Sequence, residues 1–448
     1  MQSKKEFKRY GQCTFPKPNT VYVRTAESRS RIDVPESRFC RKERTGAVKA
    51  CDELLLRVLT AALRGEPFEG TMDPALTEDM LKAAEIHGVL ALVVEAAGNR
   101  TEAQGEALTK ARTRAVESVV RQLTQENEFL TLVTKLRETG HDPVVIKGSV
   151  CRQLYPRPCL RPSVDEDVLV PETEFAVYHD LLTEQGLFPD QPDADLNEQD
   201  EASYHKKNSP LYIEVHKKLF SSASEAYGDC NLPFEAVMDR LGEVQVQDMT
   251  LRTLGATDHL LYLILHAFKH FLHSGFGIRM VCDIALFARA YGKQIDWDTV
   301  TEQCRRLRAE PFAAALFHIA SRYLDLQVPA LPEVWLTAAV KENPLLEDIL
   351  AGGLYGTADE NRLHSSNITL AAAEGKAGLW RSLFPGKAYF HRLYPYTEKH
   401  PVLMPAAWVT RIFRYLRNGK DRGVTPAETV KTGKARVKLL ELYGIVTD

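Results

Sequence analysis

The chain has 448 residues, 44% of them hydrophobic and 26% charged, with a formal net charge of −3. That length suits roughly two or three packed units, and the near-neutral balance excludes a global pull toward nucleic acid or membrane, leaving polyanion recognition to local features. There is no run of about 18 apolar residues to form a helical membrane span, and the basic amino terminus lacks the apolar stretch of a signal peptide. Eight scattered cysteines without a C-x-x-C pair fit reduced thiols better than a disulfide frame or a zinc cage. A cytoplasmic location is the expectation.

Residues 1–47 have no apolar periodicity and carry twelve basic residues against five acidic ones. They are expected to be a disordered basic arm: a nucleic-acid-touching extension, a plain tail, or upstream sequence translated from too early a start. Helical spacing begins at Val48 and continues to residue 140. It covers LLLRVLTAALRG, then PALTEDMLKAAEIHGVLALVVEAAG, then a long helix over 102–138 with Gly140 as its stop.

Between 141 and 250 the character changes. PVVIKG reads as a buried strand, SVCRQLY as a short helix and PRPCLRP as a loop, because its prolines resist helix. DEDVLV reads as a strand and ETEFAVYHDLLTEQG as an amphipathic helix. The acidic DQPDADLNEQDEAS is expected to be a loop. YHKKNSPLYIEVHKKLF reads as two strands around Asn208-Ser209-Pro210. Helices return over 251–448, in HLLYLILHAFKHFLH, RMVCDIALFARAYG and WDTVTEQCRRLRAEPFAAALFHIASRYL. The predicted fold class is α+β, a small mixed sheet between N-terminal and C-terminal helical sections.

The chemistry concentrates where DED precedes Val168-Leu169-Val170. Alternate residues of a strand share a face, so Asp165 and Asp167 point one way and Glu166 the other. Two such carboxylates raise each other's pKa unless a cation sits between them, and hard oxygen ligands suit Mg²⁺, which borrows its remaining ligands from phosphates. Glu214, flanked by Ile213 and Val215, supplies a third acid on a neighbouring strand and shares a face with His216. It is a candidate for a second metal position or for a general base. Lys147-Gly148-Ser149 lies where a strand passes into a helix, a place where backbone can approach phosphate; Lys147 and Arg161 are candidate phosphate neutralisers. Each signal is weak alone; the ordered set is specific.

That set resembles the uncharacterised-nucleotidyltransferase group of the polymerase-beta-like nucleotidyltransferase superfamily. The superfamily pattern is a strand ending in Gly-Ser or Gly-Gly, a pair of aspartates around an apolar residue, and a third acid on a later strand. It is matched by Gly148-Ser149, Asp165 with Asp167, and Glu214. The closer likeness to the subgroup lies in IKGSVCRQLYPRPCLRPSVDEDVLV, IEVHKKL and HAFKHF followed by GIRMVCDIALFARAYGKQIDWDTV. It extends to LFPGKAYFHRLYPY and PVLMPAAWVTRIFRYL, so that it covers about residues 50–420.

The resemblance implies a minimal nucleotidyltransferase core at 141–250 that moves a nucleoside monophosphate from an NTP to an acceptor and releases pyrophosphate. Asp165, Asp167 and Glu214 would hold Mg²⁺ or Mn²⁺, while Lys147, Gly148, Ser149 and Arg161 would hold the nucleotide phosphates. His216, His270, Arg279 and Asp283 are possible substrate contacts. The acceptor, whether small molecule, peptide, protein or RNA, is open, as are base preference and oligomeric state. Glu166 departs from the pattern, because it places an acid on the packed side of the strand, where it needs a partner such as Arg161 or another cation.

Two rivals stand beside this reading. One is a non-catalytic nucleotide-binding or scaffold protein that keeps the fold. The other is a zinc hydrolase built on His266, His270 and His273, which share one helix face but lack the Glu of H-E-x-x-H. The aromatic and basic stretch with Trp408, Arg411, Phe413, Arg414, Tyr415 and Arg417 is read as a packing helix, with a nucleic-acid or membrane face as the alternative.

Overall fold

The first helix begins where the apolar spacing does. In a computed structural model of the protein, the described residues are 48–98, 105–224, 226–354, 369–370, 372 and 426–446. All of them fall in one compact unit, Ala47–Asp448. The arm at 1–47 and the aromatic–basic stretch with Trp408 and its neighbours lie outside the described residues.

Helix α1, Ala50–Leu63, buries Leu55, Val58, Leu59 and Ala62 on its inner face. Helix α2, Pro74–Ile86, starts on Asp73, whose side chain accepts from the Ala75 N–H, with proline at the first helical position. The single periodic segment expected here is divided at Gly88, and α3 runs separately as Leu90–Ala97. Gly88 has φ +67°, and a Cβ there would come within 2.9 Å of the Arg279 guanidinium. The break therefore lets a distant arginine approach the backbone. Helix α4, Gly105–Glu138, is the long helix expected before Gly140.

The sheet then assembles from β1 (Val144–Ile146), β2 (Glu166–Leu169), β3 (Leu187–Pro189), β4 (Glu201–Lys206), β5 (Tyr212–His216), β6 (Leu241–Val246) and β7 (Met249–Leu254). Helix α5, Gly148–Arg152, joins β1 to β2, and α6, Phe175–Glu184, follows β2. The strand order is β3-β4-β5-β2-β1-β7-β6. β2 lies antiparallel to β1 but parallel to β5, and β1 lies parallel to β7. The class is α+β, as expected.

Two features of the sheet lie outside the elements expected from the sequence. β3 is only three residues long and carries a proline at an outer edge, where it breaks no ladder. The β6–β7 hairpin turns at Gln247, φ +52°. Its inward residues Val244, Val246, Leu251 and Leu254 are buried. The alternation that identifies such a hairpin is present in LGEVQVQDMTLRTL, although its turn lacks glycine.

Beyond the sheet, α7 (Ala256–Leu272) and α8 (Ile278–Tyr291) are buried along most of their length. The segment expected as one further helix is two, α9 (Trp297–Arg306) and α10 (Glu310–Leu324), separated at Arg308, φ +56°, with a proline in the first turn of α10. Helices α11 (Glu333–Leu336), α12 (Glu342–Gly352) and α13 (Pro426–Leu442) complete the described elements. Among the described residues, no helix is long and apolar enough to cross a membrane.

Candidate active site

Register on two neighbouring strands builds the centre of the site. β2 pairs in parallel with β5 so that Asp167 stands beside Glu214 and Leu169 beside His216, while on the other side Asp167 stands opposite Ile146, the last residue of β1. Lys147 follows at once, and its ammonium reaches both oxygens of Asp167, at 3.0 and 2.9 Å, and lies 4.0 Å from Asp165 Oδ2. His216 Nε2 lies 3.3 Å from Asp167 Oδ1 and 3.9 Å from Glu214 Oε2. Its Nδ1 lies 3.4 Å from Glu201 Oε2.

Three of these side chains, Asp167, Glu214 and His216, each offer a ligand atom, all within 4.8 Å of one another. His216, expected as a substrate contact, is thus drawn into the carboxylate cluster, while Asp165 sits at its margin across the Lys147 ammonium. Burial and the nearby charges of Asp167 and Asp165 push the Glu214 carboxyl up to about 7. Burial works in the same direction on Asp167, but the Lys147 and His216 side chains outweigh it and hold that carboxyl well below the usual carboxylate range. A cluster of this kind gains from added positive charge.

Glu166 faces away, as the strand alternation requires, and is fully buried. Of the partners left open, Arg161 or another cation, the structure shows another: the cation is Arg152, at 2.6 Å, and Arg161 is engaged elsewhere. Ser149 Oγ donates to Glu166 at 2.6 Å and accepts from Arg152 Nη2, and Gln125 of α4 adds a further donor. Arg152 also meets Glu126 and Ser163. Ser149, expected at the phosphates, therefore has its hydroxyl turned into this buried cluster. A Cβ at Gly148 would lie 3.4 Å from both the Asp165 carbonyl and Ser163 Oγ, at the near edge of ordinary contact.

On the opposite wall Arg161 forms a two-point contact with Asp283, at 3.2 and 2.6 Å, and Tyr155 donates to the same carboxylate at 2.7 Å. Arg279 Nη1 donates to the Pro162 carbonyl at 2.6 Å. Arg161, Arg279 and Asp283, with Lys147, Ser163, Asp165 and His266, line a pocket beside the carboxylates. Arg161 Nη1 and Arg279 Nε are buried there without a hydrogen-bond partner, which is costly for a guanidinium unless a ligand completes it. His270 sits one turn behind the pocket, its Nε2 3.1 Å from His266 Nε2, so that one ring donates to the other. Together with His273, the helical histidines do not close into a three-ligand group, and the metal-competent cluster among the described residues is the one on β2 and β5.

Sequence reasoning missed His259 and Thr253. The backbone N–H of Lys147 donates to His259 Nε2 at 3.2 Å, His259 Nδ1 lies 3.3 Å from Thr253 Oγ1, and that hydroxyl donates to the Val145 carbonyl at 2.6 Å. This chain of bonds requires a neutral ring, and burial pushes the His259 pKa down to about 3. Burial likewise holds His87 down to about 4. Because both folded values lie below the unfolded one, the stability they contribute is complete above about pH 6.5 and is lost as the pH falls toward those values. Urea denaturation at pH 7 and pH 5 is expected to show a loss of roughly 2 kcal/mol for each of these two rings. Replacing either one with asparagine should shrink the difference by its share.

The sequence model of the uncharacterised nucleotidyltransferase family matches residues 73–325. That is more than half of the chain, from α2 to the end of α10, and it includes every candidate site residue from Lys147 to Asp283. The chain belongs to this family, and membership supports nucleotidyl transfer as the family-level role. No curated protein and no solved structure matches the chain.

Proposed function

We propose that the protein is a divalent-metal-dependent nucleotidyltransferase: an acceptor nucleophile attacks the α-phosphorus of an NTP, the bond from that phosphorus to the pyrophosphate oxygen breaks, and pyrophosphate leaves. The observation that supports this best is the parallel register that sets Asp167 beside Glu214, with Asp165 adjacent and a pocket of unsatisfied arginine donors next to them. The donor set fits a hard cation, since carboxylate oxygens dominate it, and burial first and the charges of Asp167 and Asp165 second push the Glu214 carboxyl up in a way that a bound cation would relieve. Asp167 and Glu214 would hold the metal with His216 beside them, and Asp165, across the Lys147 ammonium, would add a further carboxylate from the margin. When bound, Mg²⁺ or Mn²⁺ would supply charge neutralisation at the phosphates.

The protein's own residues do the positioning. Lys147, Arg161 and Arg279 converge on the pocket and would hold the β- and γ-phosphates, with Gly148 permitting close backbone approach and Ser149 bracing the strand from behind through Glu166. Asp283 orients Arg161 by its two-point contact, and His270 orients His266. Glu214 either completes the metal site or takes the acceptor proton, for which a pKa near neutrality is suited. Under this reading the section 141–250 carries the chemistry, and the helical sections wall the pocket.

A non-catalytic nucleotide-binding protein would use the same pocket without turnover, and Glu214→Gln separates the two readings. With α-labelled NTPs and fractionated small-molecule, peptide, protein and RNA acceptors, the variant is expected to lose transfer by about 10²-fold or more while NTP affinity changes little. A wild-type protein that binds NTP but labels no fraction would favour the scaffold reading.

A further inference from the structure

Lys147 occupies a position that a metal ion would contest. Its ammonium lies between the two aspartates, within 3.0 Å of both oxygens of Asp167. The lysine side chain is 10% exposed and that of Asp167 1%, so water screens the contact little. A dipositive ion bound to the same carboxylates would stand a few ångströms from this charge and be repelled by it.

The backbone is committed to this placement. Lys147 has φ +55° and ψ −92°, near the strained γ-turn and outside the regions ordinary residues favour. Glycine would be the less strained residue there. The conformation is held by the hydrogen bond to His259, itself anchored on Thr253 and β1. A second place for the ammonium adjoins the first. The pocket that Lys147 shares with Arg161 and Arg279 contains unsatisfied buried donors, and a polyphosphate bound there would attract the lysine.

We propose that Lys147 is a built-in cation that neutralises the aspartate pair until nucleotide arrives, so that divalent-metal binding is conditional on polyphosphate. This rests on the transferase reading above. In the nucleotide-free protein the ammonium donates to Asp167 Oδ1 and neutralises the carboxylate, leaving Oδ2 without a hydrogen-bond partner, and keeps a metal out. When polyphosphate oxygens fill the arginine-lined pocket, the ammonium gains a competing anionic partner and releases the carboxylates. The exchange makes and breaks no covalent bond. It also protects the fold from three uncompensated carboxylates when metal is scarce.

The test is Mn²⁺ binding to the full chain, by calorimetry, for wild type, Lys147→Met and Lys147→Met/Asp167→Asn, with and without a non-hydrolysable NTP analogue. Without nucleotide, Lys147→Met is expected to bind Mn²⁺ at least tenfold more tightly than wild type, and the double variant should lose that gain. The analogue should tighten wild-type Mn²⁺ binding at least tenfold and that of Lys147→Met by less. Lys147→Gln and the Mn²⁺-induced rise in melting temperature, larger in the two single lysine variants than in wild type, give a second readout should Lys147→Met fold poorly. Equal Mn²⁺ affinity for wild type and the lysine variants, with binding still enhanced by the analogue, would overturn the gate alone. Absence of Mn²⁺ binding in every protein, with or without the analogue, would overturn the transferase reading and the gate with it.

Discussion

Replacing Asp165 and Asp167 together by asparagine is expected to abolish metal-dependent NTP binding and to lower transfer by about 10³-fold or more. Asparagine keeps the shape of each side chain but removes the two charges on which a hard cation depends. Asp167 is the more demanding of the two, because it is 1% exposed and meets Lys147, His216 and Glu214 at once. Calorimetry with each of the four NTPs, with and without Mg²⁺, reads the result and identifies the preferred base. Thermal melts of both proteins show whether the variant is folded. Metal-dependent binding that survives unchanged in the folded variant would remove these aspartates from the mechanism.

The largest effect on stability is expected from Arg152→Ala. Arg152 and Glu166 are both fully buried, 2.6 Å apart, and Ser149, Gln125 and Ser163 satisfy much of what remains. Burial pushes the Glu166 carboxyl up, while Arg152 and Ser149 pull it back. Removing the arginine leaves an unpaired buried acid, which costs about 3–5 kcal/mol, a large part of the stability of an ordinary domain. Exchanging both partners for apolar residues of similar size, Arg152→Met with Glu166→Leu, should recover most of that loss, since it removes both charges from the interior. Urea denaturation of the single and double variants distinguishes these outcomes. A loss below about 1 kcal/mol for Arg152→Ala would show that the pair is not what holds Glu166 in the core.

This ion pair also explains how an acid can stand between the two aspartates of the family pattern. It anchors β2 to α5 and, through Gln125 and Glu126, to α4. The backbone that carries Asp165 and Asp167 is thereby fixed from behind, while the opposite face carries the candidate metal ligands. Two of the three groups that answer Glu166, the Ser149 hydroxyl and the Arg152 guanidinium, come from α5, the short helix that starts directly after Lys147, and the third, Gln125, comes from α4. The residue just before α5, Lys147, lines the pocket, and the helix itself answers the buried acid.

Much of the fold and the centre of the site were legible in the residues. The opposed faces of Asp165-Glu166-Asp167, the shared face of Glu214 and His216, the strand before Lys147-Gly148 and the long helix before Gly140 follow from local spacing, because a strand alternates and a helix repeats wherever it forms. The family signature rests on the same short-range order. Tertiary structure alone decided which distant groups meet. Arg152 rather than Arg161 pairs with Glu166, Arg161 turns to Asp283, His259 holds the Lys147 backbone, and β2 takes β5 as its parallel neighbour. Such choices depend on strand order and on how helices cover the sheet, and the difference between one buried partner and another is a matter of ångströms that residue spacing along the chain does not encode.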